Sequence, residues 1–231
     1  MRSDGRENNE LRKIKFTSNY TKHSPGSVLA EFGDTKVLVC ASFENSKPRW
    51  MSKDEVGGWL SAEYSLLPGS TNTRCQRERT KISGRTQEIQ RLIGRSLRAC
   101  LDLEKLGDRT ILIDADVIQA DGGTRVASIC GGYVALCDLI RKLIDSGELT
   151  KSPIIEPIAA ISAGIVNGEV LLDLNYPEDF EAQADANVVM TKSGKIIEFQ
   201  TTAEDQAFDR EQLIQILDTC SSAISRIIEL Y

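Results

Sequence analysis

The chain has 231 residues, long enough for one substantial core and close to the length at which chains begin to divide. Its 41% hydrophobic and 27% charged residues match an ordinary globular composition, and no apolar run reaches the length that spans a bilayer. A net charge of −6 argues against a surface that coats a polyanion broadly, and six cysteines without any C-x-x-C spacing argue against a zinc site.

The polar start, Arg2-Ser3-Asp4-Gly5-Arg6, carries no signal-peptide pattern, so the cytoplasm is the expected compartment. Thr35 to Phe43 reads as a strand of little polarity, predicted to be covered on both faces, and Trp59 to Leu66 as a second strand. From Gln87 to Leu106 apolar residues recur at helical spacing (Ile89, Leu92, Ile93, Leu97, Cys100, Leu103), with Gly107 as the stop. A strand from Arg109 to Gln119 follows. Asp121-Gly122-Gly123-Thr124-Arg125 then turns the chain into a second helix with its stripe at Ile129, Tyr133, Leu136, Cys137, Ile140, Leu143 and Ile144, closed by Gly147.

Two hairpins are predicted next, one at Asn167-Gly168 and one around Lys192-Ser193-Gly194-Lys195. Asp209 and Gln212 stand at capping-box spacing ahead of a last helix with the stripe Leu213, Ile216, Leu217, Cys220, Ile224, Ile227, Ile228. Strands and helices come in uneven groups, which predicts the α+β class, and the lack of repeats or linkers predicts one domain over 1–231. Cys100, Cys137 and Cys220 fall on the stripes and read as small reduced hydrophobes. His23, the only histidine, reads as a loop residue with no assigned role.

Three groups of residues carry possible chemistry. Between Arg74 and Arg98 lie eight basic residues and two acids, a segment of +6 in a chain whose remainder is −12. Charge alone fits a focused anion site and a solvated arginine-rich helix face equally. The glycine turn at Asp121–Arg125 opens a helix, where exposed N–H groups and the helix dipole favour an anion and Arg125 can add a planar donor fork. Ser83-Gly84-Arg85-Thr86 repeats the theme at another helix start, and spacing leaves open whether the two converge on one phosphate. The Walker pattern G-x-x-x-x-G-K-[ST] is missing, which disfavours a purine-nucleotide hydrolase. An acidic loop with Asp173, Glu178, Asp179 and Asp185 offers hard oxygen ligands of the kind magnesium takes, or simply a solvated turn.

Several long blocks together resemble the ribonuclease PH family of bacterial phosphate-dependent exoribonucleases. They are Arg2–Arg6, Ala62-Glu63-Tyr64-Ser65, the run from Ser83 to Arg98, the run from Asp116 to Arg125, and Asp185-Ala186-Asn187-Val188-Val189-Met190-Thr191. The resemblance extends from Arg2 to the last helix. It implies a ribosomal-protein-S5-domain-2-like fold, a homohexamer built as a trimer of dimers, and trimming of tRNA precursors and other RNA 3′ ends by inorganic phosphate with release of nucleoside diphosphates, reversible to nucleotide addition. It further implies phosphate binding by Arg85, Gly123, Thr124 and Arg125, catalysis and Mg2+ binding by Asp179 and Asp185, and RNA binding by Arg74 and Arg77.

Such a reaction needs no histidine base, because inorganic phosphate is already an anionic nucleophile. The group that protonates the leaving 3′ oxygen stays unassigned. Gly69 stands where many relatives carry arginine, Phe180 where serine is common, and Thr201 and Asp205 where glycine is common. The first departure bears on RNA affinity, the others on local shape. Alternative readings are an exosome-like or polynucleotide-phosphorylase-like ring subunit and a non-catalytic RNA-binding scaffold of the same fold. The specific blocks favour the stand-alone enzyme over the ring subunits, and retention of both arginine elements and both aspartates counts against the scaffold.

Overall fold

The computed structural model describes residues 2–52, 54–204 and 206–231. Strands β1 (Ile14–Ser18), β2 (Gly26–Phe32), β3 (Thr35–Glu44), β4 (Trp59–Leu66) and β5 (Thr110–Gln119) form one sheet in the order β1-β2-β3-β5-β4. Among the described residues only β4 and β5 pair in parallel, and helix α1 (Gly84–Ala99) lies in the long crossover that a parallel pair requires. A second, wholly antiparallel sheet is formed by β6 (Ile158–Val166), β7 (Glu169–Leu172), β8 (Ala184–Thr191) and β9 (Ile196–Ala203), ordered β7-β6-β8-β9.

Helix α2 (Thr124–Asp145) joins the sheets, touching β2 and β3 of the first and β6 and β8 of the second. A helix covered on several sides must be apolar around most of its circumference, and fourteen of its 22 residues are buried. Gly131 permits the close approach: a Cβ there would sit 2.9 Å from both Ala30 Cβ and Val39 Cγ2. Strand β6, buried along its whole length, meets both α2 and the last helix, α4 (Arg210–Ile228). Both sheets therefore contribute to one continuous core. Among the described residues no helix is long and apolar enough to cross a membrane, and all six cysteines are free thiols.

The predicted strands at β3, β4 and β5 are present, as are both hairpins. Asn167 (φ 51°) and Gly168 (φ 79°) supply the two left-handed residues that a tight two-residue turn demands. Asp209 and Gln212 cap α4 reciprocally.

Three expectations are corrected. Helix α1 begins at Gly84, capped by the Ser83 hydroxyl, and ends at Ala99 rather than Leu106. There the chain is drawn out to pair with the segment before β6: Ile155 N–H donates to the Cys100 carbonyl and Asp102 N–H to the Pro153 carbonyl, both at 2.8 Å. A separate 3-10 turn, Leu103–Leu106, follows before Gly107. Strand β3 is fully covered on one face only. Val37, Val39 and Ala41 are buried beneath α2, whereas Leu38, Cys40 and Ser42 are half-buried. The predicted acidic loop contains a short helix, α3 (Tyr176–Glu181), because Asn175 and Glu178 form a capping box around Pro177.

Candidate active site

The glycine turn between β5 and α2 is held from three sides. Arg12 Nη1 donates to the Asp121 carbonyl (2.5 Å), and Thr35 Oγ1 accepts from Asp121 N–H (2.9 Å) while donating to the Gly122 carbonyl (2.6 Å). Asp121 Oδ1 accepts from Tyr176 N–H (3.2 Å). Gly122 (φ 74°) and Gly123 (φ 67°) both occupy the left-handed region, and a Cβ on Gly122 would lie 2.4 Å from the Leu174 carbonyl oxygen. Gly123 caps α2 without any side-chain acceptor, so the N–H groups of the first turn are offered to an anion.

Two side chains of that first turn are also fixed. Thr124 Oγ1 lies 2.9 Å from the Tyr64 hydroxyl, whose titration is pushed up by burial. Arg125 Nη2 donates to Glu88 Oε2 at 3.3 Å. Arg125 Nε and Ser162 Oγ are buried and have no hydrogen-bond partner among the described residues. Unclaimed donors in a cavity wall mark places where a ligand can be bonded.

The four acids split into two kinds. Asp173 is completely buried, its Oδ1 accepting from Arg12 Nη2 (2.7 Å) and its Oδ2 from the Arg12 backbone N–H (2.8 Å). Glu178 takes the Arg2 guanidinium in a two-point fork, Nε to Oε1 and Nη2 to Oε2, both at 2.7 Å. Arg6 stands 3.6 Å from the same carboxylate. These two acids anchor the N-terminal segment against α3, and neither lines the cavity that Asp179 and Asp185 face.

Asp179 and Asp185 have no salt bridge within 4.0 Å among the described residues and line a cavity instead. Asp179 keeps solvent access, yet desolvation of its carboxyl and then the charge of Asp185 raise its titration, against the pull of Arg125, Arg85 and Arg12. Desolvation also raises Asp185, with Arg125 opposing and Glu204 adding to the rise. Two carboxylates without a direct ion pair among the described residues suit a cation that takes one or two protein oxygens and completes its shell with substrate and water. No cluster of three or more potential ligands exists among the described residues.

The cavity, about 390 Å³, draws together Arg74, Arg85, Gly123, Thr124, Arg125, Asp179 and Asp185. The two helix starts that the sequence left separate thus converge. Arg74 belongs to the loop after β4, which is pinned by Ala120 N–H donating to the Ser70 carbonyl at 2.7 Å. Arg77 lies outside the cavity walls, exposed, with its charge felt by Asp116 on β5. Tyr64, Ser162 and Asn187 also line the cavity, and Arg12 and Glu88 support it from behind. Of these, the blocks around Tyr64 and Asn187 were visible as motifs without a role, whereas nothing in the sequence singled out Arg12 or Ser162. Gly69 is exposed on the same loop with open space around it, Phe180 is 78% exposed on α3, and Thr201 sits opposite Ala186 with its hydroxyl buried and without a partner among the described residues. Asp205 lies outside the described residues.

Comparison with known proteins decides the family. Residues 10–141 match the model of the 3′ exoribonuclease family, domain 1, and residues 156–223 that of domain 2. A ribonuclease PH of Crocosphaera subtropica is 55% identical over 230 residues, covering 100% of this chain and 95% of its own. The chain belongs to the ribonuclease PH family. The ribonuclease PH of Acaryochloris marina agrees, at 53% identity over 229 residues and 99% of this chain against 95% of its own.

Among solved structures, rice (Oryza sativa) Rrp46 superposes with a TM-score of 0.79 at 22% identity, covering 99% of this chain and 98% of that one. The Archaeoglobus fulgidus exosome with RNA bound to the active site gives 0.82 at 21%, covering 99% and 91%. At such identities the exosome proteins share the fold, and the α+β class stands. The activity that accompanies ribonuclease PH membership is phosphate-dependent 3′-to-5′ removal of nucleotides from RNA.

Proposed function

We propose that this cavity is the phosphorolytic centre and that it trims the 3′ ends of tRNA precursors and other RNAs in the cytoplasm. The observation that carries the reading is the convergence of an anion-binding helix start, two arginines and two unpaired aspartates on one cavity. Both matched segments contribute walls, Arg85 and the glycine turn from the first and Asp179 and Asp185 from the second, so residues 1–231 act as one catalytic unit.

Inorganic phosphate sits against the N–H groups of Gly123–Arg125 and the guanidinium groups of Arg85 and Arg125, which orient it and offset its charge. One of its oxygens attacks the terminal phosphodiester phosphorus. The bond from that phosphorus to the 3′ oxygen of the penultimate nucleotide breaks, a proton is taken up at that oxygen, and a nucleoside diphosphate leaves. Asp179 and Asp185 would hold a magnesium ion, which when bound supplies positive charge to the scissile phosphate. Most of the catalysis is then positioning and charge complementarity. Arg74 and Arg77 lie on the loop that meets the RNA beyond its last nucleotide, and a trimer of dimers would gather six such loops. Light scattering checks the hexamer: a stable, active monomer at micromolar concentration opposes it.

The deciding experiment follows the products of a short RNA. Phosphate should be required, nucleoside diphosphates should form, and excess diphosphate should lengthen the RNA, since one transition state serves both directions. Arg125→Ala should raise the phosphate concentration needed. Monophosphates formed in phosphate-free buffer at undiminished rate would falsify the proposal. A non-catalytic scaffold of this fold is disfavoured by the Asp179–Asp185 pair, because unpaired, desolvated carboxylates cost stability and serve no packing purpose.

A further inference from the structure

Glu88 lies one helical turn beyond Arg85, so α1 presents both on the same side. Its carboxylate is tied twice: Oε2 accepts from Arg125 Nη2 at 3.3 Å, and Oε1 accepts from Gln200 Nε2 at 2.9 Å. The link joins α1, α2 and β9, and Gln200 stands opposite Asn187, a cavity-lining residue, in the β8–β9 register. Arg125 meanwhile keeps a buried Nε with no partner among the described residues. A free arginine of this length samples many rotamers. Here one end of the fork is held and donor capacity remains for a second acceptor.

We propose that Glu88 is a positioning residue for phosphate: it acts through Arg125, holding that guanidinium in the cavity wall with part of its fork unspent, while Gln200 holds Glu88. This rests on Arg125 being a phosphate ligand, as proposed above. A carboxylate near a phosphate site also repels phosphate, so the two effects must be weighed. Glu88 is 39% exposed in its side chain and already shares its charge with Arg125, which screens the repulsion. Loss of orientation therefore dominates.

The test measures digestion of a short RNA against phosphate concentration in the assembled protein. Glu88→Ala should raise the phosphate KM about three- to tenfold, the range expected for immobilising one rotamer-rich side chain. The maximal rate and the KM for RNA should change less than about twofold, on the same grounds. Glu88→Gln, which keeps an acceptor oxygen, should recover most of the phosphate KM. In an Arg125→Ala background, Glu88→Ala should have almost no further effect, because the residue it restrains is gone.

If Arg125→Ala raises the phosphate KM and Glu88→Ala does not, the inference fails and the phosphate reading survives. If Glu88→Ala multiplies the Arg125→Ala defect by its full factor, Glu88 acts independently and the inference also fails. If Arg125→Ala itself leaves the phosphate KM unchanged, both fail. Should Glu88→Ala not assemble, Gln200→Ala reads the same network: a raised phosphate KM with an unaltered RNA KM supports it, and an unaltered phosphate KM overturns it.

Discussion

Asp173 and Glu178 differ from Asp179 and Asp185 in what surrounds them, although all four fall within a stretch of thirteen positions. The first pair is enclosed by Arg2, Arg6 and Arg12, with forked or two-point hydrogen bonds at 2.7 to 2.8 Å. The second pair has no such partner among the described residues, and its titration is raised by desolvation. The difference arises far away in the chain. Three N-terminal arginines claim two of the acids for the fold, and the two left over face the cavity. Adjacent residues, Glu178 and Asp179, thus carry opposite duties because one turn of α3 aims them in different directions.

The comparison breaks first on stability. Asp173→Ala would leave the Arg12 guanidinium buried without its carboxylate, and breaking a buried pair in this way costs about 3–5 kcal/mol. Denaturant unfolding should show that loss, and any fall in activity of the folded protein should be smaller than that of the Asp179 and Asp185 asparagine variants, because Arg12 reaches the site only through the glycine turn that it supports. Asp179→Asn and Asp185→Asn should do the reverse: turnover down by about 10²–10³, as for loss of one charge-stabilising group, with assembly intact. Near-normal turnover in both asparagine variants would move Asp179 and Asp185 out of the catalytic centre.

Much of this division could not be read in advance, and the reason is physical. Local signals were legible where they are local: the Asn-Gly turn, the Asp209–Gln212 cap, the glycine turn before α2 and the apolar strands β4 and β5. Strands β1 and β2 gave weaker signals, since Lys15, Thr17 and Glu31 interrupt any apolar run and pairing with neighbours decides the outcome. The end of α1 is not legible locally, because residues 153 to 155, some fifty positions on, draw the chain out of the helix. In the site, residue types and motifs pointed to Arg85, Arg125 and the aspartates. That Glu178 answers to Arg2 across 176 positions is set only by the fold.

A middle-sized effect sharpens the contrast between the cavity and its approach. Arg74 borders the cavity and Arg77 does not, but both sit on the exposed loop after β4. Arg74→Ala combined with Arg77→Ala should weaken a long structured RNA more than a short oligonucleotide. The dependence of log affinity on log salt should shrink by about 0.7–0.9 for each RNA phosphate that an arginine no longer neutralises. Gly69→Arg on the same loop should act oppositely, because the backbone there needs no glycine and a side chain meets open space. Equal losses on both RNAs in the double variant would place these arginines at the reacting end instead.

The smallest effect separates the two acid pairs most sharply. Partial desolvation by the cavity wall and the Asp185 charge hold the Asp179 carboxyl above the ordinary aspartate value of 3.8, although the residue keeps solvent access. A raised value in the folded state means that the folded protein binds the proton more tightly than the unfolded chain does. Ionised Asp179 therefore costs stability at neutral pH, and the cost fades as pH falls through the raised value toward 3.8. With a chelator present, Asp179→Asn should melt above wild type at pH 7, and the gap should close in acid. Magnesium should reverse the order, since an ion bound only by the folded wild type adds about 1.4 kcal/mol at ten times its Kd, and the amide forfeits most of that gain. Paired thermal melts in chelator and in magnesium decide it. Equal responses to magnesium would remove Asp179 from the metal site, and a variant that melts lower in chelator would return Asp179 to the company of Asp173 and Glu178, whose charges hold the fold together.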